Sequence, residues 1–202
     1  MLGTPAASAG GVTPPNAKPY GVSLADWSVD WLAWLLSIPV DQSPFFDPDG
    51  RYCRVNQSSP AFFLGSNVGG ESVRNCAIPS GQSIVFTAGG DFCVVGLNAA
   101  TESDLLPCIQ FSLQNLTTIG ADIDGVPVQD IEKYRVISKP FTVSLGDNNL
   151  LGPAGDYRVI SGGYFMLLPP LPPGRHVIHF FDAFPAFDFT SDQVYVITVS
   201  PR

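Results

Sequence analysis

Charge is scarce in this sequence: Asp, Glu, Lys and Arg together make up 14% of its 202 residues, against about a quarter in ordinary soluble domains. Long helices tile their wet faces with Glu and Lys, so a chain poor in both is expected to use few of them. The ten basic residues, set against eighteen acidic ones for a net charge of −8, form no cluster able to neutralise a run of phosphates. That argues against nucleic acid as a partner, and an anionic membrane surface is disfavoured for the same reason. No apolar run approaches the roughly 18 residues of a spanning helix, so no membrane span is expected. The opening stretch from Met1 to Gly11 lacks the basic and apolar regions of a signal peptide, so an exported form of this chain would be one with its signal peptide removed.

What the chain does have is 20 glycines and 19 prolines, the punctuation of many short strands and turns. Its length suits one domain with a sizeable core. Residues 1–19, rich in Ala, Gly and Pro, read as a flexible N-terminal tether, and residues 20–202 as a single domain. Four cysteines, Cys53, Cys76, Cys93 and Cys108, show no C-x-x-C spacing of a zinc or redox site. An even number at wide spacing reads as two disulfides in an oxidising compartment. Three connectivities are open to four cysteines, and the sequential one is our expectation. Each such bridge closes a loop worth on the order of 3 kcal/mol in the chain-entropy account.

Ser23-Leu24-Ala25-Asp26 is a helix-start signature, and the helix is expected to run to Ser37, before Pro39. Leu24, Trp27, Trp31, Trp34, Leu35 and Ile38 share one face at helical spacing. Thr101-Glu102-Ser103-Asp104 introduces a second helix over 103–115, with Pro107 placed in its first turn. Strands are expected at 61–64, 73–78 and 83–87, with Ser80-Gly81 a turn. Further strands follow at 119–123 and 126–128 about an Asp124-Gly125 hairpin, and at 134–145 with a bend at Pro140. Next come 157–160 and 164–168, joined through Ser161-Gly162-Gly163 as a second hairpin, then 175–181 and 193–199. The fold class that follows is mainly β: an antiparallel two-layer β-sandwich, jelly-roll or immunoglobulin-like, with two short α-helices.

Taken in order, several segments form a pattern: Tyr20 with Trp27-x3-Trp31-x2-Trp34, Asp47-x2-Gly50-x2-Cys53-x3-Gln57, Phe62-Phe63-Leu64-Gly65, and Arg74-x-Cys76-x-Ile78-Pro79-x-Gly81. Asp124-Gly125-Val126-Pro127-Val128, Tyr134-Arg135 and Gly174-x-His176-x-Ile178-His179-Phe180 complete it. This resembles a widespread family of bacterial exported proteins, usually bearing a signal peptide and carrying no assigned activity. The resemblance spans Tyr20 to Val199. It implies export (periplasmic, extracellular or cell-surface) and the pairing of Cys53 with Cys76, and it brings no catalytic residues.

Candidate sites are few. The tryptophan stripe can serve as an aromatic platform, with Trp31 as a ligand contact, but its regular spacing fits a helix packed on a sheet. His176 and His179 are candidate ligand contacts. On a strand, residues i and i+3 point to opposite faces, so the two cannot chelate one ion together. Asp47 and Asp49, with Asp147 in a second Asx-rich loop, offer hard oxygens for a structural calcium, but Asp47-x-Asp49-Gly50 lacks the later ligands of an EF-hand. Asx residues populate turns for conformational reasons alone. No cofactor is otherwise implied, and no G-x-S-x-G nucleophile motif is present.

Three functions follow as expectations. The first is a non-catalytic extracellular or cell-envelope module, binding or structural, whose partner is a small molecule, a glycan or a protein; it goes with a compact β domain and no deep polar pocket. The second is a secreted hydrolase whose carboxylates meet only in the fold, in a pocket shared with His176 or His179. The third is a self-assembling surface or filament protein, motivated by a positive mean hydropathy of +0.19.

Overall fold

The computed structural model describes residues 11–57 and 60–201, and shows a mainly β protein with two helices and two five-stranded sheets. In chain order the elements are α1 (Leu24–Ser37), β1 (Ala61–Phe63), β2 (Gly70–Ile78), β3 (Ser83–Val94), α2 (Glu102–Gln114), β4 (Thr118–Ile123) and β5 (Val126–Pro127). They continue with β6 (Arg135–Ile137), β7 (Phe141–Leu145), β8 (Gly155–Leu168), β9 (Gly174–Phe184) and β10 (Phe189–Val199). The first sheet runs β1-β3-β8, with β6 and β7 both on the far edge of β8; the second runs β2-β10-β9-β4-β5. β1 pairs with β3, and β2 with β10, in parallel. The sheets are therefore mixed, which corrects the expectation of a purely antiparallel sandwich.

Side-chain parity places the layers. On β3, Phe86 meets Phe180 of the second sheet with ring centroids 5.1 Å apart. On β8, Phe165 meets Trp31 of α1 at 5.5 Å. Phe165 stands opposite Thr87 in the β3–β8 register, so Phe86 and Phe165 point to opposite faces. α1 thus covers one face of the first sheet and the second sheet covers the other. The latter face also carries α2, because a Cβ on Gly162 would lie 2.7 Å from Ile109 and 3.0 Å from Leu113 of that helix.

α1 forms as its sequence dictates, with the Ser23 hydroxyl accepting from the Asp26 amide. Trp27, Trp31 and Trp34 are all buried; Trp31 Nε1 donates to the Leu64 carbonyl and Trp34 Nε1 to the Val55 carbonyl. α2 starts on a capping box between Thr101 and Asp104. Pro107 sits in its second turn rather than its first, where the amide it lacks would have bonded to Ser103. The Asp124-Gly125 turn has positive φ at both residues, as a tight hairpin of this kind requires. Pro140 splits the expected long strand into β6 and β7, both paired with β8. Disulfides join Cys53 to Cys76 and Cys93 to Cys108, a pattern that suits an oxidising compartment. Among the described residues no helix is long and apolar enough to cross a membrane.

Two readings need correction. Residues 1–10 lie outside the described residues, but the remainder of the expected tether is not free: Val12 is fully buried and the Thr13 amide donates to the Leu167 carbonyl. Ser161-Gly162-Gly163 is not a hairpin turn but the middle of the 14-residue β8. Neither glycine has a positive φ; what they supply is thinness. A Cβ on Gly163 would lie 2.7 Å from the Gly89 carbonyl oxygen and 2.8 Å from Gly90 Cα, so β3 and β8 come together through facing glycine pairs. Gly163→Ala should therefore destabilise the fold by about 2 kcal/mol through overpacking, measured by urea denaturation. A turn residue at that position would tolerate alanine.

Candidate functional site

The glycine crossing shapes a cleft. β1 pairs with β3 only over Ser83–Val85, so the edge of β3 from Thr87 onward has no strand beside it. A cavity of about 340 Å³ lies there, bounded by Trp31, Phe165, Phe92 and Phe189, the Ser66–Val68 loop, and Leu150 and Leu151. It reaches Gly90 and Gly162, and two carboxylates, Asp91 and Asp182, face it. A second hollow, lined by Phe184, Phe187 and Phe189, continues it past Gly90 and Asp91.

Asp182 comes from β9, where Ile178, Phe180, Asp182 and Phe184 alternate as the buried face. It is the acidic member of an otherwise apolar row, 7% exposed. Gly89 makes room for it, since a Cβ there would lie 2.8 Å from the Asp182 Cβ. Ser191 stands directly opposite on β10, and its nearby hydroxyl favours the ionised form of the Asp182 carboxyl. The Ser191 oxygen accepts from Gln193 Nε2 at 2.9 Å. Gln193 Oε1 accepts from the buried Arg74 guanidinium at 3.2 Å. Burial, joined by the charge of Asp91, pushes the Asp182 carboxyl up to about 7 against the Ser191 hydroxyl.

Asp91 stands at the rim. The residue opens to solvent at the mouth, yet its carboxyl is enclosed by protein, and that enclosure raises its pKa against the bonds from the Ser112 hydroxyl and the Phe92 amide. Ser112 belongs to α2, so the rim of the cleft includes the seam between α2 and β3 of the first sheet.

Sequence reasoning singles out neither of these aspartates, and most of the residues it does single out fall elsewhere. Trp31 does line the cleft, although it is also core. His176 and His179 do not. His176 bonds Asp124 through Nδ1 and the Pro172 carbonyl through Nε2. His179 lies on the outer face of the second sheet, held by Asp122 on one ring nitrogen and Asp192 on the other. Partial burial opposes charge on both rings, but these acceptors prevail and raise both pKa values.

The calcium reading of Asp47, Asp49 and Asp147 fails on geometry. Asp47 is buried with both oxygens accepting backbone amides, from Asp49 and Gly50 on one and Tyr52 on the other. Asp49 pairs with Arg51 at 2.7 Å. Asp147 lies exposed in a separate loop, and among the described residues no group of three or more His, Cys, Asp or Glu side chains is placed to hold a metal ion.

No family model and no curated protein matches the chain. A chain from the solved complex titled "Structure of PbICP-C in complex with falcipain-2" is similar at 13% identity over 69% of this chain and 98% of that one. Its TM-score is 0.24, which carries no argument about fold or function.

The raised pKa of Asp182 has a thermodynamic consequence. The folded state holds its proton more tightly than the unfolded state, so the group adds stability below its unfolded value of 3.8, and that stability is lost as pH rises toward about 7. Asp182→Asn should remove this dependence. The difference in unfolding free energy between the variant and the parent is expected to grow in the variant's favour across that window, as read from denaturant melts at a series of pH values.

Proposed function

We propose that this protein is an exported, non-catalytic binding domain that takes a small molecule into the cleft beside β3. One observation carries this reading: the cleft is walled by aromatic side chains on rigid elements and holds a few polar groups, the usual make-up of a small-molecule site. Its volume lies at the low end of the range of about 300–1,000 Å³ for such sites. Both histidines stand outside it, so no serine or threonine on its walls has an imidazole to activate it. The resemblance to bacterial exported proteins and the two disulfides support export.

The neutral dye 1-N-phenylnaphthylamine is expected to bind saturably, one per chain, with a gain in fluorescence. Val68→Trp, which carries an indole into the mouth from an exposed loop position, is expected to weaken binding. A gain that does not saturate, or that Val68→Trp leaves unchanged, would overturn the reading.

A second reading is favoured by the carboxylate pair itself. Asp182 is partly protonated near neutrality and Asp91 faces the same cleft, the division of labour that acid–base hydrolysis of a glycoside uses. Turnover of a polysaccharide or aryl glycoside, lost in both Asp182→Asn and Asp91→Asn, would establish it. Blank results across such a panel would leave the binding reading alone.

A further inference from the structure

The chemistry of the cleft narrows the ligand, on the assumption that the cleft is the binding site. The residues lining it include two acids and no Lys, Arg or His among the described residues. An anionic ligand would meet two carboxylates with no counter-charge. A neutral apolar ligand would cover Asp91 and Asp182 without adding a donor to either, so it is expected to bind more weakly than one that brings a positive charge. A bare divalent cation wants six or more oxygen ligands or a retained water shell, whereas much of this wall is aromatic. Ring faces and carboxylates do suit one kind of guest together: the ring quadrupole attracts a cation, and carboxylates accept its hydrogens.

We propose that the cleft binds an organic ammonium ion, a primary amine on an apolar and preferably aromatic body, with its nitrogen between Asp91 and Asp182 and its body against Trp31, Phe92, Phe165 and Phe189. The net charge of −8 favours the approach of such a cation. Binding is linked to protons. The titratable group facing Asp182 is Asp91 from β3; β10 presents Ser191 and Gln193, β4 presents Ile119 and α2 presents Ser112, none of which titrates. Arg74 acts only through Gln193 and Ser191. Asp182 is partly protonated near neutrality, and the arriving ammonium displaces that proton.

The test is calorimetric titration with 2-phenylethylamine and, as its neutral counterpart, 2-phenylethanol, each at about pH 5.5 and about pH 8, where the amine stays charged. The amine is expected to bind at least about tenfold more tightly than the alcohol at the higher pH. It should lose at least about tenfold of its affinity at the lower pH, as one proton comes to compete. Asp182→Asn, checked for an unchanged circular dichroism spectrum, should abolish both the preference and the pH dependence, and Asp91→Asn should weaken the amine alone. If the alcohol binds as well as the amine, the ammonium proposal falls while the cleft-binding reading stands. If neither binds, the ammonium proposal also falls, and the dye titration decides the broader reading. Calcium chloride that competes with the amine at equal strength in low-millimolar amounts would likewise overturn it in favour of a metal site.

Discussion

The organisation of this protein depends on a buried guanidinium. Arg74 on β2 is 1% exposed and has no carboxylate partner among the described residues. Instead its side chain reaches the carbonyls of Pro44, Asp47, Gly65 and Ser66, the amide oxygen of Gln193 and the hydroxyl of Tyr195. Burying a charge this deeply costs several kcal/mol, offset here by acceptors on every nitrogen: Asp47 for Nε, Pro44 for Nη2, and four oxygens sharing the two hydrogens of Nη1. Two irregular segments, around 44–47 and 65–66, lack strand partners for these carbonyls and obtain their donors from Arg74. A lysine there could present three hydrogens from one point and could not span the same set.

The same hub reaches the cleft. Residues 191, 193 and 195 are buried on one face of β10; Tyr195 and Gln193 bond Arg74 directly, and Gln193 passes the chain of hydrogen bonds to Ser191, which stands opposite Asp182. Gln193 Nε2 also lies 3.2 Å from the Ser66 hydroxyl, so the loop that walls the cleft and the serine opposite Asp182 are held by one amide. The strand face beside the carboxyl is therefore organised from behind by groups outside the cleft.

Sequence reasoning reached the parts governed by local rules. Ser23 and Thr101 start helices as capping residues should, the tryptophan spacing marks a buried face, and Asp124-Gly125 makes its hairpin. It failed where the deciding partner is distant in sequence. Gly162 and Gly163 carry the signal of a turn, and only the nearness of Gly89, Gly90 and α2 reveals why a long strand needs them. Gly89 and Gly90 hid the second half of β3 for the same reason. Asp182 had a faint signal: it follows Ile178 and Phe180 at every second position, and an acid on an apolar strand face needs an explanation. Asp91, beside two glycines, had none, because its role depends on Ser112 of a helix twenty-one residues on. Asp47 gave a false signal, since an Asx loop that closes on its own amides looks in sequence like one that closes on a metal.

The Cys93–Cys108 bridge fastens β3 to α2, with Asp91 two residues before one end and Ser112 one helical turn beyond the other. The contact that fixes the rim carboxyl thus stands next to the covalent link that docks its helix. While those thiols are reduced, the small cluster of Leu105, Ile109, Leu113 and Ile160 must seat α2 by itself. Oxidation then steadies the rim of the cleft as well as the fold, because the covalent link and the Asp91–Ser112 contact hold the same helix to the same strand.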